Sequence, residues 1–300
     1  MAGRYKQAPL IYMVARVHAS AIPKLTSDQK AVLGQTMRAL GYKEEVDSIS
    51  QELGVNVALD NENNEESSIQ VNQREFKRRA YFDDSKKNVF IFEKESGLIE
   101  FRTTAYTKYE NVTNKIQSVI NAICNDIPVC KDIIVREISL TYLDLIFPIR
   151  DRKISDYFRS KGDILPLSIF GVQNNNDVTN FGSIQVTRLV EANKRIVISL
   201  EQLPTNDKGL PTKVLPSHLV ERESKFQMPV SVNIGNPDLS TLKKGHYALL
   251  TTESGTMLSL ELQDLDFKTS SDTIHQETSS MFNELIDKKV CDLDWEFTKE

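Results

Sequence analysis

From Ile133 to Ile149 the chain carries its most β-like run, with Ile138, Leu140, Tyr142, Leu143, Leu145, Ile146 and Phe147 close together. β-Branched and aromatic residues at this density predict a strand, and similar runs lie on both sides of it. Leu10 to His18, bounded by Pro9 and Pro23, predicts a strand, as does Ile69 to Phe82. Val89 to Glu93 and Leu98 to Arg102 form a hairpin around Ser96-Gly97. Further strands are expected at 181–190, 196–203, 226–234, 246–252 and 257–267.

Helical periodicity is confined to a few places. Ser27 or Thr26 can cap a helix with Val32, Leu33, Met37 and Leu40 on one face, ending at Gly41. Between Ala105 and Cys124, Tyr109, Val112, Ile116, Val119, Ile120 and Ile123 fall on one helical face. A short helix is expected near 151–161 and a final one near 271–288. Residues up to Leu59 suggest a second short helix and a strand. Asp60 to Ser68 contains no apolar residue and predicts a solvated loop. Pro204 to Pro216 is turn-rich, and Asp292 to Phe297 forms a polar tail or strand.

Two segments resemble each other. Glu100-Phe101-Arg102-Thr103-Thr104 and Asp266-Phe267-Lys268-Thr269-Ser270 each place an acid, Phe, a base and two hydroxyl residues before a helical pattern. At the same offset Ile116 meets Phe282, Val119 meets Leu285 and Ile120 meets Ile286. The expected fold class is therefore α+β, with two related β-α-β-β-β-α-like halves. Their sheets are mainly antiparallel and their helices pack on one face. The N-terminal half would span 1–128 and the C-terminal half 129–300, joined near 126–132.

The 300 residues are 40% hydrophobic and 26% charged, which excludes global disorder and fibrous repeats. A net charge of −5 argues against a surface built wholly for nucleic acid. Cys124, Cys130 and Cys291 have neither CxxC spacing nor even number, so free thiols in a reducing compartment are expected. With no run approaching ~20 apolar residues, the expected location is cytoplasmic, with no membrane partner.

Chemistry-bearing motifs are sparse. Phosphate-binding glycine loops, the hydrolase elbow and H-E-x-x-H are absent, and His18, His218, His246 and His275 lack metal-ligand spacing. No resident metal or cofactor is expected. One alternative is a Mg²⁺-dependent nuclease: Pro237-Asp238 followed by Asp266-Phe267-Lys268 fits the loose P-D…(D/E)-x-K pattern, with Asp264 as a third carboxylate. There Asp238 and Asp266 would hold the ion and Lys268 would steady the attacking water or the developing charge. A second alternative is nucleic-acid binding through 74–87. Arg74, Lys77, Arg78 and Arg79, with Lys86 and Lys87, interleave there with Phe76, Tyr81 and Phe82. Strand alternation splits that charge between two faces. Trp295, the single tryptophan, would either anchor a partner or cover the core.

Ala8-Pro9-Leu10-Ile11, Arg136 to Leu143 continuing to Pro148, Asp156-Tyr157-Phe158, and Leu265-Asp266-Phe267 with the helix of His275 and Phe282 together carry a resemblance. The chain resembles a sporadically distributed, functionally uncharacterised family of bacterial proteins. Ser139, Thr141 and Leu143-Asp144 depart from that family's Gly-Leu-Arg-Tyr-Ile-Asn-type run. The resemblance implies no established activity, cofactor or site residue. Its accessory-genome character implies a role in phage defence or a toxin–antitoxin-like unit. The expected function is a non-catalytic module binding another protein, encoded nearby, with homodimerisation as a way to cover sheet edges.

Overall fold

Alternation along the strands sets the two faces of a single large sheet. A computed structural model describes residues 3–5, 9–20, 22–58, 68–94, 96–149, 152–159, 181–221, 223–230 and 245–299, and side chains are described in them except at 3–5, 50–58, 68–76 and 297–299. In chain order the elements are β1 (Gly3–Tyr5), β2 (Leu10–Ala19), α1 (Ser27–Ala39), β3 (Glu44–Ala58), β4 (Ser68–Phe82), β5 (Asn88–Glu93), β6 (Leu98–Thr103) and α2 (Tyr109–Asp126). They continue with β7 (Ile134–Ile146), β8 (Gly182–Glu191), β9 (Lys194–Pro204), β10 (His246–Glu261), α3 (Phe267–Leu285), α4 (Lys288–Asp294) and β11 (Phe297–Lys299). Nine strands pair in the order β3-β4-β5-β6-β2-β7-β10-β9-β8. Every described pairing is antiparallel, and β1 and β11 form a separate two-stranded ribbon.

The fold is thus mixed α+β, with the run at 133–149 supplying a central strand. β7 pairs with β2 from Asp144 opposite Leu10 to Val135 opposite Ala19. On one face Met13, Ala15 and Val17 of β2, Phe101 of β6 and Ile138 and Leu140 of β7 pack against Leu33 and Met37 of α1, the predicted stripe of α2, and Ile274 of α3. On the other face Ile11, Tyr12, Val14, Leu143 and Leu145 are covered by Leu219, Val214 and Leu215 from a strap at 205–230. Phe226 continues that cover over Phe82, Val89 and Ile91.

Local chemistry explains the element ends. Thr26 caps α1 through a reciprocal bond with Gln29, and the chain leaves that helix through Gly41 at φ +93°. Gly97 turns the β5–β6 hairpin at φ +66°, where a Cβ would collide with the Ala19 carbonyl. Only glycine suits that turn.

Several boundaries differ from the sequence expectation. Residues 44–58 form one strand with no helix, because Val46 and Ile49 take part in a continuous ladder with β4. The two strands expected at 246–252 and 257–267 are one strand, β10, followed by a short 3-10 turn. The helix expected from Ala105 begins at Tyr109, and the one near 151–161 is a 3-10 turn at Ile154–Tyr157. In place of the strand expected at 226–234, Ser224–Phe226 is a 3-10 turn and 227–230 is unpaired coil, while 231–234 lies outside the described residues. Asp292 and Asp294 lie in α4, whose start Asp287 caps. Most of the acidic loop at 60–68 also lies outside the described residues. No helix is long and apolar enough to cross a membrane among the described residues. All three cysteines are buried and unbridged.

Candidate functional site

The basic cluster on β4 is met by carboxylates. Arg78 donates two bonds to Glu221, at 2.8 and 2.9 Å, and its guanidinium lies 4.9 Å from the Phe226 ring centroid. Arg79, on the opposite face, donates to Asp47 at 2.6 and 2.8 Å and pairs with Glu45 at 3.1 Å. Lys86 pairs with Glu44. Arg74 stands opposite Glu52 in the β3–β4 register, and its side chain lies outside the described ones. Lys77 also has an interaction of its own. The stripe legible in sequence is therefore largely paired within the protein.

Arg78 belongs to a larger buried network that the sequence did not announce. Glu100, 1% exposed, accepts from both Arg16 and Arg102. Arg102 also donates to Glu221, and Arg16 reaches Thr141. Burial alone would raise the Glu100 carboxyl, but the guanidiniums of Arg102 and Arg16 hold it down to about 2. Glu221 is likewise raised by burial and lowered further by Arg78 and Arg102, with a net downward result. Ser48 donates to Glu223, the second strap carboxylate in this region. The network links β2, β4 and β6 and fastens the strap to the sheet. Its carboxylates are spent on guanidiniums, so they are poorly placed to activate water.

Asp266 and Lys268 occupy a helix start. Asp266 caps α3, accepting from the Thr269 amide at 3.0 Å and its hydroxyl at 2.7 Å. The Thr269 amide is also the main reason that its carboxyl is lowered. Asp264 lies in the preceding 3-10 turn, and Asp238 lies outside the described residues. No group of three or more His, Cys, Asp or Glu side chains among the described residues is arranged to hold a metal. The similar letters at 100–102 and 266–268 serve different purposes: a buried ion pair within β6 and an exposed cap on α3.

Trp295 is 5% exposed, stacked 5.9 Å from Tyr157 and 6.4 Å from Phe282. Beside it, buried Asp294 accepts from Arg152 at 2.6 Å and from the Tyr157 hydroxyl at 2.9 Å. Trp295 covers the core. Iodide is expected to leave its fluorescence in the native protein largely unquenched, whereas quenching as strong as that of free tryptophan would place it at the surface.

Two further places carry chemistry. At the α2–α3 junction His275 stacks on Tyr109 with centroids 3.8 Å apart, and its Nδ1 lies 2.9 Å from the Tyr142 hydroxyl. Burial lowers the His275 imidazole. The signal in sequence was only that Tyr109 lies on the buried helical face. At the far side of the sheet, β8 pairs with β9 alone among the described residues. No described strand follows it outward. Phe181, Val186 and Leu189 there are 48%, 55% and 75% exposed, and Ile184 packs inward. Val186 and Leu189 differ in parity, so they present apolar surface on opposite faces of the strand.

The chain matches no family model, and no curated protein is significantly similar to it.

Proposed function

We propose that this protein is a non-catalytic protein-binding module that accepts a partner's strand along the outer edge of β8. The observation that carries this reading is the composition of that edge, beyond which no described strand lies. Outer strands in soluble proteins are commonly protected by charge, proline or covering segments. The opposite edge fits that rule, since β3 carries Glu44, Glu45, Asp47 and Glu52. β8 has only Arg188 and Glu191 among ten residues, with exposed apolar side chains on both faces. A partner strand would gain main-chain hydrogen bonds along β8 and apolar contacts with Val186 and Leu189.

The competing chemistries find less support. Asp266 serves as a cap, and Arg78 and Arg79 are bound to carboxylates. The partner is another protein, encoded nearby in the setting of a bacterial phage-defence or toxin–antitoxin-like unit. Two copies joined through the same edge would give a homodimer. The two related halves are also part of this proposal. Outward from the centre the orders β2-β6-β5-β4-β3 and β7-β10-β9-β8 both begin with the first long strand of each half and place the last strand beside it.

Affinity capture from the native host, comparing the wild type with Val186→Lys and Leu189→Lys combined, tests the reading. A stoichiometric protein should be lost in the variant while melting temperature stays within a few degrees, since both side chains are exposed. Equal capture by both forms would rule out the β8 edge.

A further inference from the structure

At the start of α2 a cleft of about 270 Å³ lies between that helix, the start of β5 and the end of β6. Asn88 and Thr103 both line it, and they stand opposite each other in the β5–β6 register. Directly opposed residues of paired strands bring their side chains close together. Asn88 is 8% exposed and Thr103 2%. From α2, Lys115 lies over the Phe101 ring, 5.7 Å from its centroid, and donates to the Asn88 side-chain carbonyl at 3.2 Å. Asn88 is fixed in that orientation by its own amide, which donates to Asp83 at 2.7 Å.

Donors in this cleft exceed acceptors. The Thr103 hydroxyl accepts from the Ala105 amide at 3.0 Å, and its hydrogen has no acceptor among the described residues. A buried hydroxyl normally finds one. Lys115 has three ammonium hydrogens and gives one to a neutral amide, and no described carboxylate pairs with it. Lys108 also lines the cleft, at the cap position of α2, where its side chain accepts no bond from the helix. A cation at the positive end of a helix is locally unfavourable, and Glu110 in the first turn offsets it only in part. Of the nearby carboxylates, Asp83 is taken up by Asn88, Ser85 and the Lys87 amide. Glu110 and Asp144 act on Tyr106, and neither pairs with Lys115.

We propose that this cleft binds a small phosphate monoester, with the phosphate between Lys115 and the Thr103 hydroxyl and the organic part against the Tyr106 ring. A phosphate monoester presents three strongly accepting oxygens. They match the two unused Lys115 hydrogens, the Thr103 hydroxyl and the Lys108 ammonium better than the two oxygens of a carboxylate do. The negative field at Tyr106 sets the orientation, with the charged group at Lys115 and the neutral part at the tyrosine. The volume falls below the ~300–1,000 Å³ of drug-sized pockets, so it suits one small ester. This site is distinct from the β8 edge, and either can fail alone.

The test is isothermal titration of phenyl phosphate into the full chain at pH 7.5, against sodium chloride of matched ionic strength. One saturable site is expected, at least about 10-fold weaker in Lys115→Met. Lys115 is exposed, so that variant should fold as the wild type does, and its melting curve verifies this. Thr103→Val keeps the shape of the side chain and should weaken binding about 5-fold. Lys131→Met, beyond the far end of α2, should leave it unchanged. Inorganic phosphate should bind more weakly than the ester; binding as tight or tighter would contradict the place given to the organic part. No saturable uptake, or uptake reduced no more by Lys115→Met than by Lys131→Met, overturns the proposal; the latter would mean general attraction to surface lysines.

Discussion

Glu100→Ala is expected to cost on the order of 3–5 kcal/mol of folding stability, measured by urea denaturation at pH 7. The loss is much larger than a truncated surface ion pair would give, because Glu100 is 1% exposed and sits between the guanidiniums of Arg16 and Arg102. Removing it leaves two charges facing each other in a site with little water. Part of the load can shift to Glu221, which already binds Arg102 and Arg78. The same residue predicts an acid limb. The folded carboxyl is held at about 2, below its ordinary value of 4.5, so its contribution is full above the unfolded value and is lost as pH falls toward 2. That window carries about 3 kcal/mol. A variant that loses less than ~0.5 kcal/mol would mean that the network is not formed in solution.

Asp144→Asn is expected to do the opposite at high pH. Burial raises the folded Asp144 carboxyl from 3.8 to about 7, so the folded protein binds that proton more tightly than the unfolded chain. Stability from this group is therefore full below about pH 4 and is lost as pH rises through 7, a swing on the order of 4 kcal/mol. Asparagine cannot ionise, so it should be more stable than the wild type at pH 8 and similar to it at pH 4. The histidines shift in the opposite sense over pH 5–7 but are common to both proteins, so the difference between the two stability curves isolates Asp144. A difference that does not vary with pH would show that the carboxylate finds compensation when charged.

Much of the architecture was legible because it rests on periodicity. The stripe Val112, Ile116, Val119, Ile120 and Ile123 is buried as its spacing demands, and the hairpin turn at Gly97 lies where its sequence placed it. Residues 44–58 misled because Glu44, Glu45, Asp47 and Glu52 lower strand propensity, whereas an outer strand tolerates charge. Residues 257–267 were legible as strand at their start but not at their end, since Asp266 is as good a cap as it is a strand terminus. The ion network was hidden for another reason. Arg16, Arg78, Glu100, Arg102 and Glu221 are far apart in sequence, and only the order β4-β5-β6-β2 with the strap laid across it brings them together. Trp295 had two readings in sequence, and its stacking on Tyr157 and Phe282 places it in the core. β8 was recognised as a strand, but its outer position depends on long-range pairing that no local pattern encodes.

Amide hydrogen exchange on the protein alone and with its captured partner tests the central claim most directly. The account predicts that Gly182–Glu191 exchanges readily in the free protein, as an outer strand paired on one side does, and becomes protected in the complex. Protection that appears elsewhere while β8 keeps exchanging at its free rate would contradict it.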